Sequence, residues 1–363
     1  MKTDYSIAVF NGDGIGPEIM QPTLQVLQQL LQRSGQYSLT FEELPAGAAH
    51  YRDTRESLPP HSLTRAREAD AILLSAMGLP SVRYDDGTEI SPQIDLRKAL
   101  NLFAGVRPVK VTPGQHTPLK LPCGHSIDFV LIRESTEGLF HSQGSGEVSH
   151  DSATETMKIT RETSNKLFRF AFAMAEHRSN TLGRPAKVTC IDKANVFRAF
   201  AFFRELFEEQ AKHHRNIEAN SVYVDAAALW MVQKPWTFDV MVTENMFGDI
   251  LSDLGAGLMG GLGVAPSADI GEHHAVFQPC HGSAPDIAGS NTANPLAMML
   301  SAAMMLDWLG VQHRHQSLTN DAQALRNAVY SVIGEAKTLT RDLGGTASTT
   351  EVASVVIDAL QPA

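Results

Sequence analysis

Cysteine is scarce: Cys123, Cys190 and Cys280 are the only three, far apart and without Cys-x-x-Cys spacing. An odd, scattered set excludes a disulfide frame and a spaced zinc site, and predicts buried free thiols in a reducing cytosol. No apolar run reaches the roughly 18 residues of a membrane span. The opening Met1-Lys2-Thr3-Asp4 lacks the basic start and long apolar stretch of a signal peptide, so the expectation is a cytoplasmic protein without a membrane partner. Positive charge is also short, with 30 Lys+Arg against 40 Asp+Glu and a formal net charge of −10. Phosphate binding needs a basic surface, so a nucleic-acid partner is disfavoured. The pairs His213-His214 and His273-His274 do not form the two-histidine helical zinc motif and read as solvated surface. There is no internal repeat and no low-complexity linker.

What is present is an ordinary folded composition, 43% hydrophobic and 19% charged over 363 residues. At roughly 150 residues per domain that suggests about two domains. The chain starts as a strand, Tyr5 to Phe10, then a glycine turn, then a helix in which Ile15, Ile19, Leu24, Leu27 and Leu31 recur at helical spacing up to Gly35. Strand-like runs follow at 71–75, 129–132, 186–191, 222–224 and 238–242, with helix-length segments at 161–178 and 195–214 between them. Strands alternating with helices predict an α/β protein with a largely parallel sheet. The segment from His141 to Ser152, rich in Gly and Ser, reads as an exposed arm or hairpin.

Three groups of residues could carry chemistry. The turn Gly12-Asp13-Gly14-Ile15-Gly16-Pro17 sits where a phosphate loop would sit, but its Gly-x-Gly-x-Gly spacing fails the dinucleotide fingerprint. A tight turn and a cofactor loop both remain open on that evidence. In Asn245–Leu254, a helical register would project Asp249 and Asp253 from one face. Like charges four apart cost a few tenths of a kcal/mol, which a hard divalent cation would remove; two solvated carboxylates are the bland alternative. Asp225, after the apolar run Val222-Tyr223-Val224, is a third acid at a strand end, where active-site groups of α/β sheets gather. Arg97, Arg107 and Arg133 flank apolar segments and could grip carboxylates bidentately or make surface salt bridges.

Taken in order, these motifs resemble the isocitrate/isopropylmalate dehydrogenases, a family that includes homoisocitrate, tartrate and D-malate dehydrogenases. The resemblance spans nearly the whole chain: Gly12–Glu18, Leu96-Arg97-Lys98, Val106-Arg107-Pro108, Arg133–Gly138, Asp192–Asn195, Asp225, Asn245–Asp253, His281–Gly289 and Asn294-Pro295. It implies a two-domain α/β/α fold that is not Rossmann, so the failed fingerprint is expected. It implies Mg²⁺ or Mn²⁺ held by Asp249 and Asp253 with Asp225 from a partner subunit, and carboxylates held by Arg97, Arg107 and Arg133. Lys193, also from the partner, would help deprotonate the hydroxyl, which makes a homodimer obligatory. His281, Gly282, Ser283 and Ala284 would wrap the adenosine of NAD, with Asn294 at the adenine. Asp286 would bond the ribose hydroxyls, where NADP-using relatives carry Lys-Tyr at the positions of Asp286 and Ile287. The domains expected from the resemblance are 1–102 joined with 261–363, and 103–260 carrying the dimer interface and the arm, with the site in the cleft between them.

Two departures stand out. Phe140 occupies the place of the family's usual tyrosine, the proposed proton donor to the enolate; a water or His141 takes over, oxidation dominates over a slow decarboxylation, or Phe140 is a tolerated packing variant. In the family it resembles, the residues just before the matching arginine set the pocket for the substrate's C3 substituent. Isopropylmalate members place two leucines where Gln93 and Ile94 stand, after Ser91. An unpaired amide against hydrocarbon costs about 1–3 kcal/mol, which tilts the expectation towards a polar isocitrate-, homoisocitrate- or tartrate-like substrate, with 3-isopropylmalate the alternative. Gly260-Gly261-Leu262-Gly263 leans the same way. The leading reading is an NAD- and metal-dependent, decarboxylating 2-hydroxy-acid dehydrogenase. A non-catalytic subunit of the same fold predicts loss of the lysine or of a metal aspartate, and all four are present. A metal-dependent hydrolase would leave the Asp286 loop unexplained.

Overall fold

The computed structural model describes residues 2–360. Its strands are β1 (Asp4–Phe10), β2 (Ser38–Glu43), β3 (Ala71–Leu74), β4 (Ala104–Lys110), β5 (Asp128–Glu134), β6 (Glu147–Val148), β7 (Ala153–Thr154), β8 (Lys187–Asp192), β9 (Glu218–Tyr223), β10 (Val240–Thr243), β11 (Pro266–Ile270) and β12 (Ala275–Pro279). The helices are α1 (Gly16–Ser34), α2 (Ala48–Thr54), α3 (Pro60–Glu68), α4 (Pro92–Ala99), α5 (Arg161–Leu182), α6 (Arg198–Ala211), α7 (Val224–Gln233), α8 (Asn245–Leu258), α9 (Leu296–Gln312), α10 (Gln316–Glu335) and α11 (Thr349–Leu360). Ten strands form one sheet in the order β2-β1-β3-β12-β11-β4-β5-β10-β8-β9. Its two flanks, β2-β1-β3-β12 and β5-β10-β8-β9, are parallel; β11 and β4 join them through antiparallel pairings. The expected α/β class is therefore present, with an antiparallel seam in the middle.

Strand alternation explains the layers. Ile7 and Val9 of β1 enter the main core with α1 and α9, while Ala8 and Phe10 point the other way, into a smaller core with Leu96 and Leu100 of the α4 region. Both faces of the flanks are covered, so their strands read as continuous apolar runs. Helix α1 ends as its sequence predicts, with Gly35 left-handed (φ 58°) and its N–H on the Leu31 carbonyl. Helix α9 is buried on nearly all sides and carries no polar stripe. The arm is a short antiparallel ribbon of β6 and β7, with Val148 almost fully exposed.

Several local expectations are corrected. The run 222–224 straddles a boundary: β9 closes at Tyr223 and α7 begins at Val224, so Asp225 lies in the first turn of α7 rather than at a strand end. Of the thiols, only Cys190 is fully buried; Cys280 is half-buried and Cys123 exposed. His213 and His273 are exposed, but His214 is half-buried, stacked on the Phe172 ring at 4.5 Å, because α6 and α5 pack closely.

The seam holds the most deeply buried charge. Asp269 of β11 is fully buried, accepting Arg97 Nε at 2.9 Å and Gln278 Nε2 at 2.7 Å, with Arg107 Nη2 at 3.5 Å and Ser135 Oγ at 3.3 Å. Burial alone would raise its carboxyl pKa, but Arg97, Arg107 and Arg133 outweigh burial and hold it below the ordinary value of 3.8. A depressed folded pKa gives stability that is present above 3.8 and lost as pH falls through the folded value. Asp269→Asn leaves buried guanidinium groups without their counter-charge and is expected to cost about 3–5 kcal/mol at pH 7. Urea unfolding should show that loss shrinking as the pH is lowered through 3.8 and below.

Candidate active site

The site is assembled on the face of the seam that carries Asp269. Gly105 and Arg107 of β4 project to that face with Asp269, as their pairing in register requires. Arg97 reaches it from the last turn of α4, and Arg133 from the penultimate position of β5. All three arginines are buried, at 8%, 6% and 5% exposure, so the bland surface salt-bridge reading is set aside. Crowding by Arg97 and Arg107 adds to burial and pushes the Arg133 guanidinium down to about 10, despite Asp249 and Asp269 nearby. Arg97 and Arg107 pair with the buried Asp269, and the charge of Arg133 also helps to lower its pKa.

Helix α8 supplies the acidic side. Its N-terminus is capped by the buried Glu244, whose Oε1 accepts the Phe247 N–H at 2.8 Å. Glu244 is pushed above the ordinary carboxylate range by its burial. Asp249 and Asp253 emerge one turn apart and exposed, as the helical register predicts. Asp249 pairs with Arg133 Nη1, while Arg133 Nη2 donates to Asn245 Oδ1 at 2.8 Å. The Asp253 carboxyl is raised by partial burial and by the Asp249 charge, against the pull of Arg107 and Arg133. Gly248 permits this approach: a Cβ there would lie 2.6 Å from Arg133 Cβ. Two buried donors, Arg133 Nε and Asn245 Nδ2, have no protein partner. Unpaired buried donors beside a cationic cluster suit an anionic ligand.

Lys193 and Asp225 come together as an ion pair at the start of α7, and the lysine holds the Asp225 carboxyl below its usual range. Among the described residues no three His, Cys, Asp or Glu side chains gather into a metal-holding group. Asp249 and Asp253 are therefore two hard oxygen donors whose mutual repulsion a cation would relieve, and one chain does not add Asp225 to them. On α4, Gln93 stands one turn before Arg97, half-buried, with its Oε1 buried and unpaired. Ser91 Oγ bonds the Glu89 carbonyl at 3.3 Å, and Ile94 is half-buried. Phe140 lies half-buried in the 3-10 turn Leu139–Ser142, followed by the exposed His141.

The glycine turn proves to be a clasp. Asp13 is buried and accepts the N–H groups of Ala48, Ala49 and Gly78, at 2.8, 2.9 and 2.8 Å. Its own N–H bonds the Ala76 carbonyl at 2.8 Å, and Ile15 N–H bonds the Ser283 carbonyl at 2.8 Å. Gly14 must be glycine: φ is +57° and a Cβ would fall 2.0 Å from the Ser283 oxygen. The turn thus holds the 281–294 loop against the sheet. Within that loop Gly282, Asp286 and Ile287 are exposed and Ala284 half-buried, while Ser283 donates its hydroxyl to Gly78 O. His281 keeps Nδ1 at 2.9 Å from the Gly282 carbonyl, and its Nε2 is buried and unpaired. Burial lowers its pKa, so the ring is neutral near pH 7. The exposed Asp286 and the unpaired His281 Nε2 are polar groups of this loop without protein partners among the described residues. Asn294 is buried, with its amide already used: Nδ2 to Asp342 at 3.0 Å and Oδ1 from Leu296 N at 3.0 Å.

Sequence reasoning missed Asp269, Gln278, Ser135 and Asn245, which fix the arginines. Asn245 stood in the quoted acidic stretch and could have been found there. Asp269 carried no spacing signal, since its partners lie 172 and 9 residues away.

Comparison with known proteins shows the family. The isocitrate/isopropylmalate dehydrogenase family model matches residues 6–356. A 3-isopropylmalate/3-methylmalate dehydrogenase of Methanocaldococcus jannaschii is 39% identical, over 97% of this chain and 98% of its own length. A 3-isopropylmalate dehydrogenase of Listeria monocytogenes is 40% identical, over 98% and 99%. Among solved structures, isocitrate dehydrogenase from Methylococcus capsulatus superimposes with a TM-score of 0.84 at 33% identity, covering 99% of this chain and 100% of that one. The β-decarboxylating dehydrogenase of Thermococcus kodakarensis gives 0.78 at 34%, over 98% and 96%. The chain belongs to the isocitrate/isopropylmalate dehydrogenase family, NAD- and Mg²⁺- or Mn²⁺-dependent enzymes that oxidise the CH–OH group of a hydroxy acid with decarboxylation.

Proposed function

We propose that this chain oxidises and decarboxylates a 3-substituted malate, with 3-isopropylmalate the preferred substrate. The observation that carries the malate frame is the buried arginine cluster with two unpaired donors, facing two carboxylates on α8. The isopropyl substituent rests on relatives near 40% identity that carry that name, which favour it over the polar substrate expected from Ser91 and Gln93. Arg97, Arg107 and Arg133 hold the substrate carboxylates. NAD would supply the hydride acceptor, and Asp249 and Asp253, with Asp225 of a second copy, would hold a divalent cation whose chemistry is to polarise the C2 oxygen. Lys193, which comes with Asp225 from a second copy of the chain, helps remove the hydroxyl proton, a role that requires an adjacent cation to draw off the lysine's own proton first. That homodimer is supported by exposed apolar side chains beside them in sequence and on α7 and α8: Val196, Phe197, Leu229, Val232, Met246 and Ile250. Residues 1–102 with 261–363 form the cofactor-side unit, and 103–260 the unit bearing the dimer face and arm. Asp286 bonds the ribose hydroxyls and repels a 2′-phosphate, while His281, Gly282, Ser283, Ala284, Ile287 and Asn294 line the adenosine. The final proton comes from a water or His141, since Phe140 has none to give.

A second reading, a polar C3 substituent, is favoured by one observation, the buried and unpaired Gln93 Oε1. Initial rates of NADH formation with Mn²⁺ across 3-isopropylmalate, 3-methylmalate, isocitrate, homoisocitrate, tartrate and D-malate decide between them. The expected result is the highest kcat/KM with 3-isopropylmalate; a higher value with isocitrate would establish the polar reading instead. Gln93→Leu should raise kcat/KM for 3-isopropylmalate by about 5- to 150-fold, the equivalent of the 1–3 kcal/mol for an unpaired buried amide. CO₂ released per NADH should be near one, and Phe140→Tyr, which restores a proton donor for the enolate, should raise steady-state turnover while leaving the single-turnover rate of NADH formation unchanged. If turnover does not rise, the proton donor lies elsewhere than at position 140.

A further inference from the structure

Glu18 is a carboxylate the mechanism does not use. It sits in the first turn of α1, just after the glycine clasp. Its Oε2 accepts the Gly289 N–H at 2.9 Å, and its Oε1 accepts the Ala293 N–H at 3.0 Å and the Thr349 hydroxyl at 2.9 Å. One side chain therefore joins α1, both ends of the 289–293 turn and the start of α11. The far side of the same turn is tied independently: Thr349 N–H bonds the Asn291 carbonyl at 3.0 Å, and the Thr349 hydroxyl lies 2.7 Å from the Ala293 carbonyl. Asn291 holds a left-handed backbone (φ 56°), a conformation that needs such anchoring. Gly289 and Ser290 continue directly from Ile287, whose carbonyl accepts the Ser290 N–H at 3.2 Å. The exposed Asp286 and Ile287 thus stand on a turn whose shape is fixed from behind by Glu18.

We infer that Glu18 is a positioning residue of the dinucleotide site, holding the 286–294 loop in the shape that presents Asp286 to the cofactor's ribose. The inference rests on the proposed cofactor-binding role of that loop. Glu18 acts through the backbone of Gly289 and Ala293 and touches neither hydride donor nor acceptor. The geometry requires two acceptor oxygens: in Glu18→Gln one end of the amide becomes an N–H donor facing the Gly289 or the Ala293 N–H. The loop then loses an anchor, and the cost of ordering it falls on cofactor binding.

The test is fluorescence titration of the full-length chain with NADH, without substrate, beside steady-state rates on the best substrate. Glu18→Gln is expected to weaken NADH binding by about tenfold or more and to raise KM for NAD in parallel, since a charge-assisted bond is lost. The kcat and the hydroxy-acid KM should stay within about twofold. Thr349→Val, which removes only one contact to Glu18, should give a smaller loss in the same direction and guards against misfolding of the first variant. Wild-type NADH affinity in both variants would overturn the inference, even if their unfolding midpoints fall. A wild-type chain that binds neither NADH nor NADPH would overturn the dinucleotide reading, and the inference with it.

Discussion

A single buried carboxylate organises the site. Asp269 has no contact with water, yet its charge is kept by Arg97, Arg107 and Gln278. Such a cluster is poor as a source of stability, because desolvating each ion cancels most of the attraction. Its value is geometric. Long, flexible guanidinium side chains are held in place before substrate arrives, so no reorganisation falls on the binding step. Arg97 and Arg107 are paired inside the protein by Asp269, while Arg133 turns to Asp249 and Asn245 and keeps its Nε unpaired.

The seam of the sheet makes this arrangement possible. β4 and β11 are antiparallel neighbours, and the register puts Gly105 opposite Asp269. A side chain at 105 would meet Ser135 Oγ at 2.6 Å and the Asp269 carboxylate at 3.1 Å. The glycine therefore clears the space into which Ser135 turns its hydroxyl. Parallel flanks on either side bury their faces under helices, so the strand edges nearest the seam are where polar groups can converge without exposing core.

Much of this was legible in the sequence, unevenly. The first strand–turn–helix, the arm and the shared face of Asp249 and Asp253 follow from local spacing, and the structure keeps them. The family motifs named the arginines, but not what holds them, because Asp269 sits in a five-residue strand among apolar neighbours and meets Arg97 only through the fold. Asp225 was placed at a strand end because Val222-Tyr223-Val224 is apolar, yet the same residues serve as a strand's end and a helix's start. The glycine turn was ambiguous for a physical reason. Phosphate loops and clasps both need left-handed glycines, and only the neighbours reveal whether carbonyls or phosphates take the N–H groups. Here Ala76 and Ser283 take two of them.

Phe140 separates the two halves of the chemistry. Hydride transfer needs a positioned alcohol, a base and an acceptor, and the proposed reading has a residue for each. Protonation of the enolate carbon needs only a proton source near C3 once CO₂ has left. The turn that carries Phe140 lies close to the N-terminus of α8, where a Cβ at Gly138 would be 3.0 Å from Asn245 Cβ. A change from tyrosine to phenylalanine there removes one hydroxyl while preserving ring volume, so the pocket wall can persist where the acid does not. The ring offers no proton of its own, so on the proposed reading the second half-reaction depends on a water or on the exposed His141 next to it in the same turn.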